Sequence, residues 1–222
     1  TPTKANHKKS VSLFFNFAQM TPDIPIISLK SINLQMQDNS LFKQFDLTVF
    51  EGENSCIAGP SGKGKSSLLK LFQGYLLPQS GIVEICGYKL SPDTVQQIRS
   101  QIAYVPQNIH LPVKNGVELL AMIAAERKAN SAKNFLQMLG MEAEMLHRSF
   151  DEMSGGQKQR VVIAVCLSLE RKLLLLDEPT ASLDEESITH LIKCITALKN
   201  TTVISASHND QWMAAAQKII QL

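Results

Sequence analysis

Apolar and polar residues alternate at Ile32, Leu34 and Met36, and again at Phe45, Leu47 and Val49. A period of two sends every second side chain to one face, so both stretches predict half-buried β-strands. Glu51-Gly52 reads as a turn into the short apolar run Ser55-Cys56-Ile57-Ala58, a third strand. The pattern then becomes helical from Lys65 to about Tyr75, through Ser67-Leu68-Leu69-Lys70-Leu71-Phe72. Pro78-Gln79-Ser80-Gly81 turns the chain into a strand over 82–86. A short helix is predicted over 94–101 and a strand over 102–105, stopped by Pro106.

From 107 to 153 the pattern is helical, with Val117, Leu120, Ala121 and Ala124 on one face and Phe135, Leu136, Met138 and Leu139 on another. Strand and helix then alternate: helix 161–169, strand 172–177, helix 183–198, strand 201–206, a closing helix and a short strand. That alternation predicts an α/β fold with a largely parallel sheet covered on both faces. The expected organisation is an α/β core over 25–106 and 161–222, with a helical subdomain inserted at 107–160. Residues 1–24 stand apart as an extension or linker. Lys4, His7, Lys8 and Lys9 precede Val11-Ser12-Leu13-Phe14-Phe15, too short an apolar stretch for a signal peptide and without a small-residue cleavage site.

Bulk properties narrow the picture only a little. The chain has 222 residues, 44% of them hydrophobic, enough for one ordinary globular core. A net charge of +2 gives no reason to expect nucleic acid as a partner. Cys56, Cys86, Cys166 and Cys194 are scattered with no C-x-x-C pair, which reads as buried thiols rather than a metal site or disulfides. No apolar run approaches the roughly 20 residues needed to span a bilayer.

The chemistry is concentrated in Gly59-Pro60-Ser61-Gly62-Lys63-Gly64-Lys65-Ser66, placed between a predicted strand and a predicted helix. This is the G-x-x-x-x-G-K-[ST] phosphate loop in its proper context. Glycines let successive N–H groups turn inward toward an anion, and the helix behind adds unpaired donors and the positive end of its dipole. Lys65 then reaches β- and γ-phosphates, Ser66 holds Mg²⁺, and Ser67 follows in the same turn. Leu173-Leu174-Leu175-Leu176 ends in Asp177-Glu178, a buried-strand pattern closing on two carboxylates. Beside a phosphate loop, Asp177 suits Mg²⁺ and Glu178 suits a water-activating base.

A third segment, Met153-Ser154-Gly155-Gly156-Gln157-Lys158-Gln159-Arg160, has the S-x-x-Q spacing of a helix capping box. A capping box has no need of two glycines in the first turn, where they cost stability. With them the chain resembles the nucleotide-binding domain of the ATP-binding cassette (ABC) family, whose L-S-G-G-Q signature is matched with Met153 in place of leucine. Gln107 after Tyr104-Val105-Pro106 resembles the family's Q-loop glutamine. Asp184 in Ala181-Ser182-Leu183-Asp184 resembles its D-loop acid, and His208 its switch histidine.

The resemblance implies a P-loop NTPase core with a small antiparallel β part, and ATP and Mg²⁺ as cofactors. Glu178, His208 and Gln107 would be catalytic. Ser66, Gln107 and Asp177 would stand at the metal. It also implies a head-to-tail dimer of two copies. Each ATP would lie on one copy's residues 59–67 and under the other's Ser154, Gly155, Gly156 and Gln157, with Asp184 nearby. The expected partner is a transmembrane permease, which holds the protein at the cytoplasmic face of a membrane. Two other readings stay open: an ATPase domain cut from a fused half-transporter, or an ABC ATPase that serves no transport.

The match departs at the adenine. Family members carry an aromatic shortly after the first strand, and Leu34-Gln35-Met36-Gln37 has none. Met36, Phe42 or the N-terminal segment are the alternatives. The ending at Ile219-Ile220-Gln221-Leu222 leads one to expect no C-terminal regulatory domain.

Overall fold

The structure, a computed structural model, describes residues 24–36 and 39–222. The extension or linker read at the N-terminus lies outside the described residues, apart from Ile24. Two sheets organise the rest. β1 (Pro25–Met36) and β2 (Asn39–Phe50) pair antiparallel, with Leu29 opposite Leu47, Ile32 opposite Phe45 and Leu34 opposite Phe42. Both strands run longer than the alternation suggests, because irregularities in register between Leu29 and Leu34 interrupt the period of two. Ser31 and Gln44 take left-handed φ values of 51° and 47° there. β4 (Ser80–Ile85) and β5 (Tyr88–Lys89) complete this sheet in the order β2-β1-β4-β5.

The second sheet is wholly parallel. Its order is β6 (Ile102–Val105), β7 (Leu173–Asp177), β8 (Thr202–Ala206), β3 (Asn54–Ala58) and β9 (Lys218–Gln221). Every residue of β7 and β8 is buried. Pleating explains how the sheet serves two cores at once. Leu174 and Leu176 face a core shared with the helices of the later chain, while Leu173 and Leu175 face a core under the antiparallel sheet. Cys56 and Ile57 divide in the same way, as do Val203 and Ile204.

α1 (Lys65–Phe72) stops short of Tyr75 because Gly74 turns the chain at φ 68°, where a β-carbon would come within 2.8 Å of Val95. α2 (Val95–Ser100) follows the expectation closely. The stretch from 107 is not helical at once. Residues 107–115, which include Pro112, form an irregular connection. α3 (Gly116–Met122) begins only where the Asn115 side chain accepts a hydrogen bond from the Glu118 N–H at 2.9 Å. Its buried face is Gly116, Leu119 and Leu120, whereas Ala121 and Ala124 are exposed.

In α4 (Ala129–Met138) the buried line runs through Ala132 and Leu136 to Leu139, at spacings of four and three, and Met138 points outward. α5 (Gly155–Ser168) starts six residues earlier than its apolar pattern suggests. α6 (Glu185–Thr196) and α7 (Asp210–Ala214) close the order of helices.

Candidate functional site

The parallel strands β3, β8 and β7 end side by side, and the loops leaving them meet in one open cleft. That placement at carboxyl ends is where an open α/β sheet offers ligands a crevice. The cleft has a volume of about 740 Å³ and is lined by Gly59, Pro60, Ser61, Gly62, Gly64, Lys65, Ser66 and Ser67, with Gln107, Glu178 and His208 opposite. Met36 and Leu41 wall it from the antiparallel sheet.

The loop's shape follows from its glycines. Gly64 sits at φ 98° as the N-terminal residue capping α1, and no side chain caps that helix. Its leading N–H groups are thus left for a ligand. Behind Gly64 an added β-carbon would lie 3.2 Å from the Phe42 ring. The Phe42 ring is therefore committed to the floor, buried and stacked on Phe45 with centroids 4.9 Å apart, and is not free to hold a base. Met36 stands on the cleft instead, and its sulfur accepts from the Ser67 hydroxyl at 3.5 Å.

Lys65 folds its ammonium back onto its own loop, donating to the carbonyls of Gly59 at 2.8 Å and Pro60 at 3.3 Å. Ser66 Oγ donates to Asp177 Oδ1 at 3.1 Å, which joins the start of α1 to the end of β7. Tyr104 on β6 reaches the other oxygen, Oδ2, at 3.5 Å. Burial raises the Asp177 carboxyl above the ordinary aspartate range, against the lowering effect of the Ser66 hydrogen bond. The Tyr104 hydroxyl is pushed up to about 12, by burial first and by the neighbouring Asp177 charge second. A buried carboxylate with two hydroxyl donors and opposed by desolvation is a place where a cation would be welcome.

Glu178 leaves the strand in the left-handed region at φ 48°, and its side chain is nearly buried. The turn aims the carboxylate at His208, whose Nδ1 lies 3.1 Å from Oε1 and 3.0 Å from Oε2. His208 follows β8, and its own side chain is 76% exposed toward the cleft mouth.

The structure brings together residues 59–62 and 64–67 with Gln107, Asp177, Glu178 and His208. The Lys63 side chain is exposed and does not line the cleft. Ser154, Gly155, Gly156, Gln157 and Asp184 also lie apart from it.

Ser154 caps α5, accepting from the Gln157 N–H at 3.2 Å while its own N–H donates to Gln157 Oε1 at 3.0 Å, so the capping box is formed. The two glycines differ. A methyl on Gly156 would strike the Ser182 carbonyl, so this glycine is fixed by packing inside the chain. A methyl on Gly155 would make only an ordinary 3.5 Å contact with Ser182, so nothing in the chain demands glycine at that exposed position. Asp184 caps α6, accepting from the Ser187 N–H at 2.8 Å, and that bond holds its carboxyl below the usual aspartate range.

Three contributors escape a sequence reading: Leu41, Tyr104 and Gln159. Gln159 and Tyr104 stand beside recognised motifs, but the spacing of those motifs gives neither a role, and Leu41 stands in none. Their places in or behind the cleft come from strand pairing and helix packing.

Known proteins place this fold. The model of a family described as ABC transporter matches residues 42–181. An energy-coupling factor transporter ATP-binding protein of Enterococcus faecium is 35% identical over 211 residues, covering 88% of this chain and 75% of that protein. Among solved structures, cbiO1 of Clostridium perfringens, described as part of the ABC transporter complex cbiONQ, matches with a TM-score of 0.76 at 25% identity. That match covers 90% of this chain and 85% of the other. The ATP-binding cassette MJ0796, in a dimeric post-hydrolysis state bound to ADP and Pi, matches with a TM-score of 0.74 at 28% identity. It covers 88% of this chain and 94% of that one. With the family model spanning more than half of its length and a relative this similar along most of it, the chain belongs to the ABC transporter family, among its ATP-binding proteins.

Proposed function

We propose that the chain is the ATP-binding and ATP-hydrolysing subunit of an ABC transporter, moving a substrate across a membrane through a partner permease. The observation that carries this reading is the meeting, in one cleft, of an uncapped helix start, the Lys65 ammonium and the Glu178 carboxylate. A triphosphate gives the leading N–H groups of α1 the acceptors they lack and offers Lys65 a stronger partner than two loop carbonyls. Ser66 Oγ and Asp177 Oδ1 form an all-oxygen donor pair of the kind Mg²⁺ prefers, with Gln107 at the same cleft. Bound there, Mg²⁺ would neutralise charge on the phosphate oxygens.

Glu178 takes a proton from the attacking water as that water's oxygen bonds to the γ-phosphorus. The bond from γ-phosphorus to the bridging oxygen breaks, and ADP and inorganic phosphate result. His208, bonded to the same carboxylate, holds its direction and stands next to the γ-phosphate end.

Ser154 and Gly155 present the N-terminus of α5 to solvent, and neither they nor Gly156 and Gln157 line their own cleft. A second copy docked head to tail would bring this terminus over the first copy's γ-phosphate, with Asp184 on the same side. ATP then binds the closed pair better than the open one, and its hydrolysis removes that preference. Among the described residues no helix is long and apolar enough to cross a membrane, so the permease would supply the span. Gln107 opens the irregular connection into the helices 116–168, a short route from cleft to permease. The protein would act at the cytoplasmic face of the membrane, without nucleic acid.

The test is Glu178→Gln with ATP. A stable dimer that does not hydrolyse, and that carries a polytopic membrane protein out of native membranes, is the expected result. Near-normal turnover would show that another group activates the water.

A further inference from the structure

We infer that Gln159 is a positioning residue for Glu178, acting on it from the helix that begins at Ser154. The inference rests on the reading of Glu178 as the base.

Glu178 carries a β-carbon at φ 48°, a region such residues leave unless they are held. Three hydrogen bonds hold its backbone. Its N–H donates to the Ala206 carbonyl at 2.8 Å, continuing the ladder between β7 and β8. Its carbonyl accepts from the Ala181 N–H at 3.2 Å and from Gln159 Nε2 at 3.2 Å. The first two bonds belong to the strand end and the turn. The third comes from another element altogether.

Gln159 is only 2% exposed, and its other amide atom, Oε1, has no partner among the described residues. An unpaired buried acceptor is a cost, which an apolar side chain of the same length would avoid. The amide at this place is therefore poorly explained by stability and well explained by the one bond it donates. The same part of α5 grips the turn from a second side. Gly156 lies against the Ser182 carbonyl and Leu183, and Gly155 against the Ser182 side chain. The turn from Glu178 to Leu183 is thus held by α5 at both ends, at Glu178 through Gln159 and at Ser182 and Leu183 by Gly155 and Gly156.

Ser154 and Gly155, at the tip of that helix, are exposed. Through α5 and Gln159 the base of one copy is joined to its own Ser154, which the proposed dimer sets over the other copy's nucleotide.

The experiment replaces Gln159 with methionine, of similar length but with no donor, and separately with leucine, shorter and also without a donor. The leucine variant covers the case in which methionine packs badly. We expect kcat to fall about 10- to 100-fold, as small displacements of a catalytic group do. ATP affinity stays within about twofold of wild type, since ground-state binding is not touched. The thermal midpoint of Gln159→Met is kept, because no buried acceptor on that side chain remains unpaired. In the Glu178→Gln background, Gln159→Met produces no further loss, because the group it positions is already gone.

Unchanged kcat in both variants overturns the inference, as does a loss of kcat matched by equal losses in ATP affinity and thermal midpoint. Glu178→Gln measured alongside separates the two layers. If it is inactive while Gln159→Met is fully active, only the role of Gln159 fails. If it turns over normally, the assignment of the base fails and the inference falls with it.

Discussion

Asp177 is held in the cleft against its own desolvation. It is 5% exposed, and burial raises its carboxyl above the ordinary value of 3.8. A carboxyl raised in the folded state holds its proton more tightly folded than unfolded. Its contribution to stability is present below the ordinary value and is lost as pH rises through the raised one. The nucleotide-free protein should therefore be more stable as Asp177→Asn at pH 7, with a melting midpoint higher by a few degrees. The advantage should shrink on acidification toward the ordinary aspartate value, measured by thermal melts across pH. The same variant should lose Mg²⁺-dependent ATP binding, measured by calorimetry.

Lys65→Ala should remove most ATP affinity, and unchanged nucleotide binding would sink the phosphate-loop assignment. Residues of this kind were legible because loop chemistry is local: Gly62, Lys65 and Ser66 stand in one turn of chain, and Asp177 and Glu178 are neighbours. Tyr104 was not, because its partner Asp177 lies 73 positions away and is reached through strand pairing. Nor was the burial of Phe42, which depends on the space that Gly64 leaves behind the loop.

At the scale of elements, the N-terminus of α5 shows two glycines answering different demands. Gly156→Ala forces a methyl into the Ser182 carbonyl and should cost about 1–3 kcal/mol in chemical denaturation, the usual toll of overpacking. Gly155→Ala meets no such obstacle and should leave stability unchanged or improve it by up to about 1 kcal/mol through helix propensity. If Gly155 is kept for an approach from outside the chain, the alanine variant should nevertheless lose ATPase activity, read at saturating ATP. A stable variant with full activity would remove the argument for close approach at Gly155.

Strands were easier to foresee than helices here. The unbroken Leu173-Leu174-Leu175-Leu176 run announces burial on both faces, and β7 serves two cores accordingly. The start of α5 was obscured because glycine, glutamine, lysine and arginine at 155–160 carry no apolar period, and the capping box alone marks it. The late start of α3 has a similar origin. Pro112 blocks a helix from 107, and the Asn115 cap, not the first apolar residue, sets the boundary.

For the whole molecule, Ser154 lies apart from the cleft of its own chain, so in the proposed head-to-tail dimer a working site would draw residues from two copies. Mixing Lys65→Ala protein with Ser154→Arg protein tests it. Each alone should be inactive. The mixed dimer keeps one intact pairing, the unaltered loop of one copy under the unaltered α5 tip of the other. Recovery of ATPase activity on mixing is expected, and continued inactivity would count against the shared site.

The order of strands in the parallel sheet has a consequence for how the protein comes into being. β3, which leads into the phosphate loop, pairs with β8 and β9 among the described residues, and those strands span Thr202–Ala206 and Lys218–Gln221. During synthesis the early strand must wait with both edges open until the residues of β8 and β9 have emerged. Such long-range closure is slow, and until it happens there is no cradle for a triphosphate. Nucleotide capture on a translating ribosome would thus report the last step of folding and not an early one. A nascent chain arrested before Thr202 should not be retained on immobilised ATP, while one released after Gln221 should be. The loop that looks most self-sufficient in the sequence is the part that waits longest for its support.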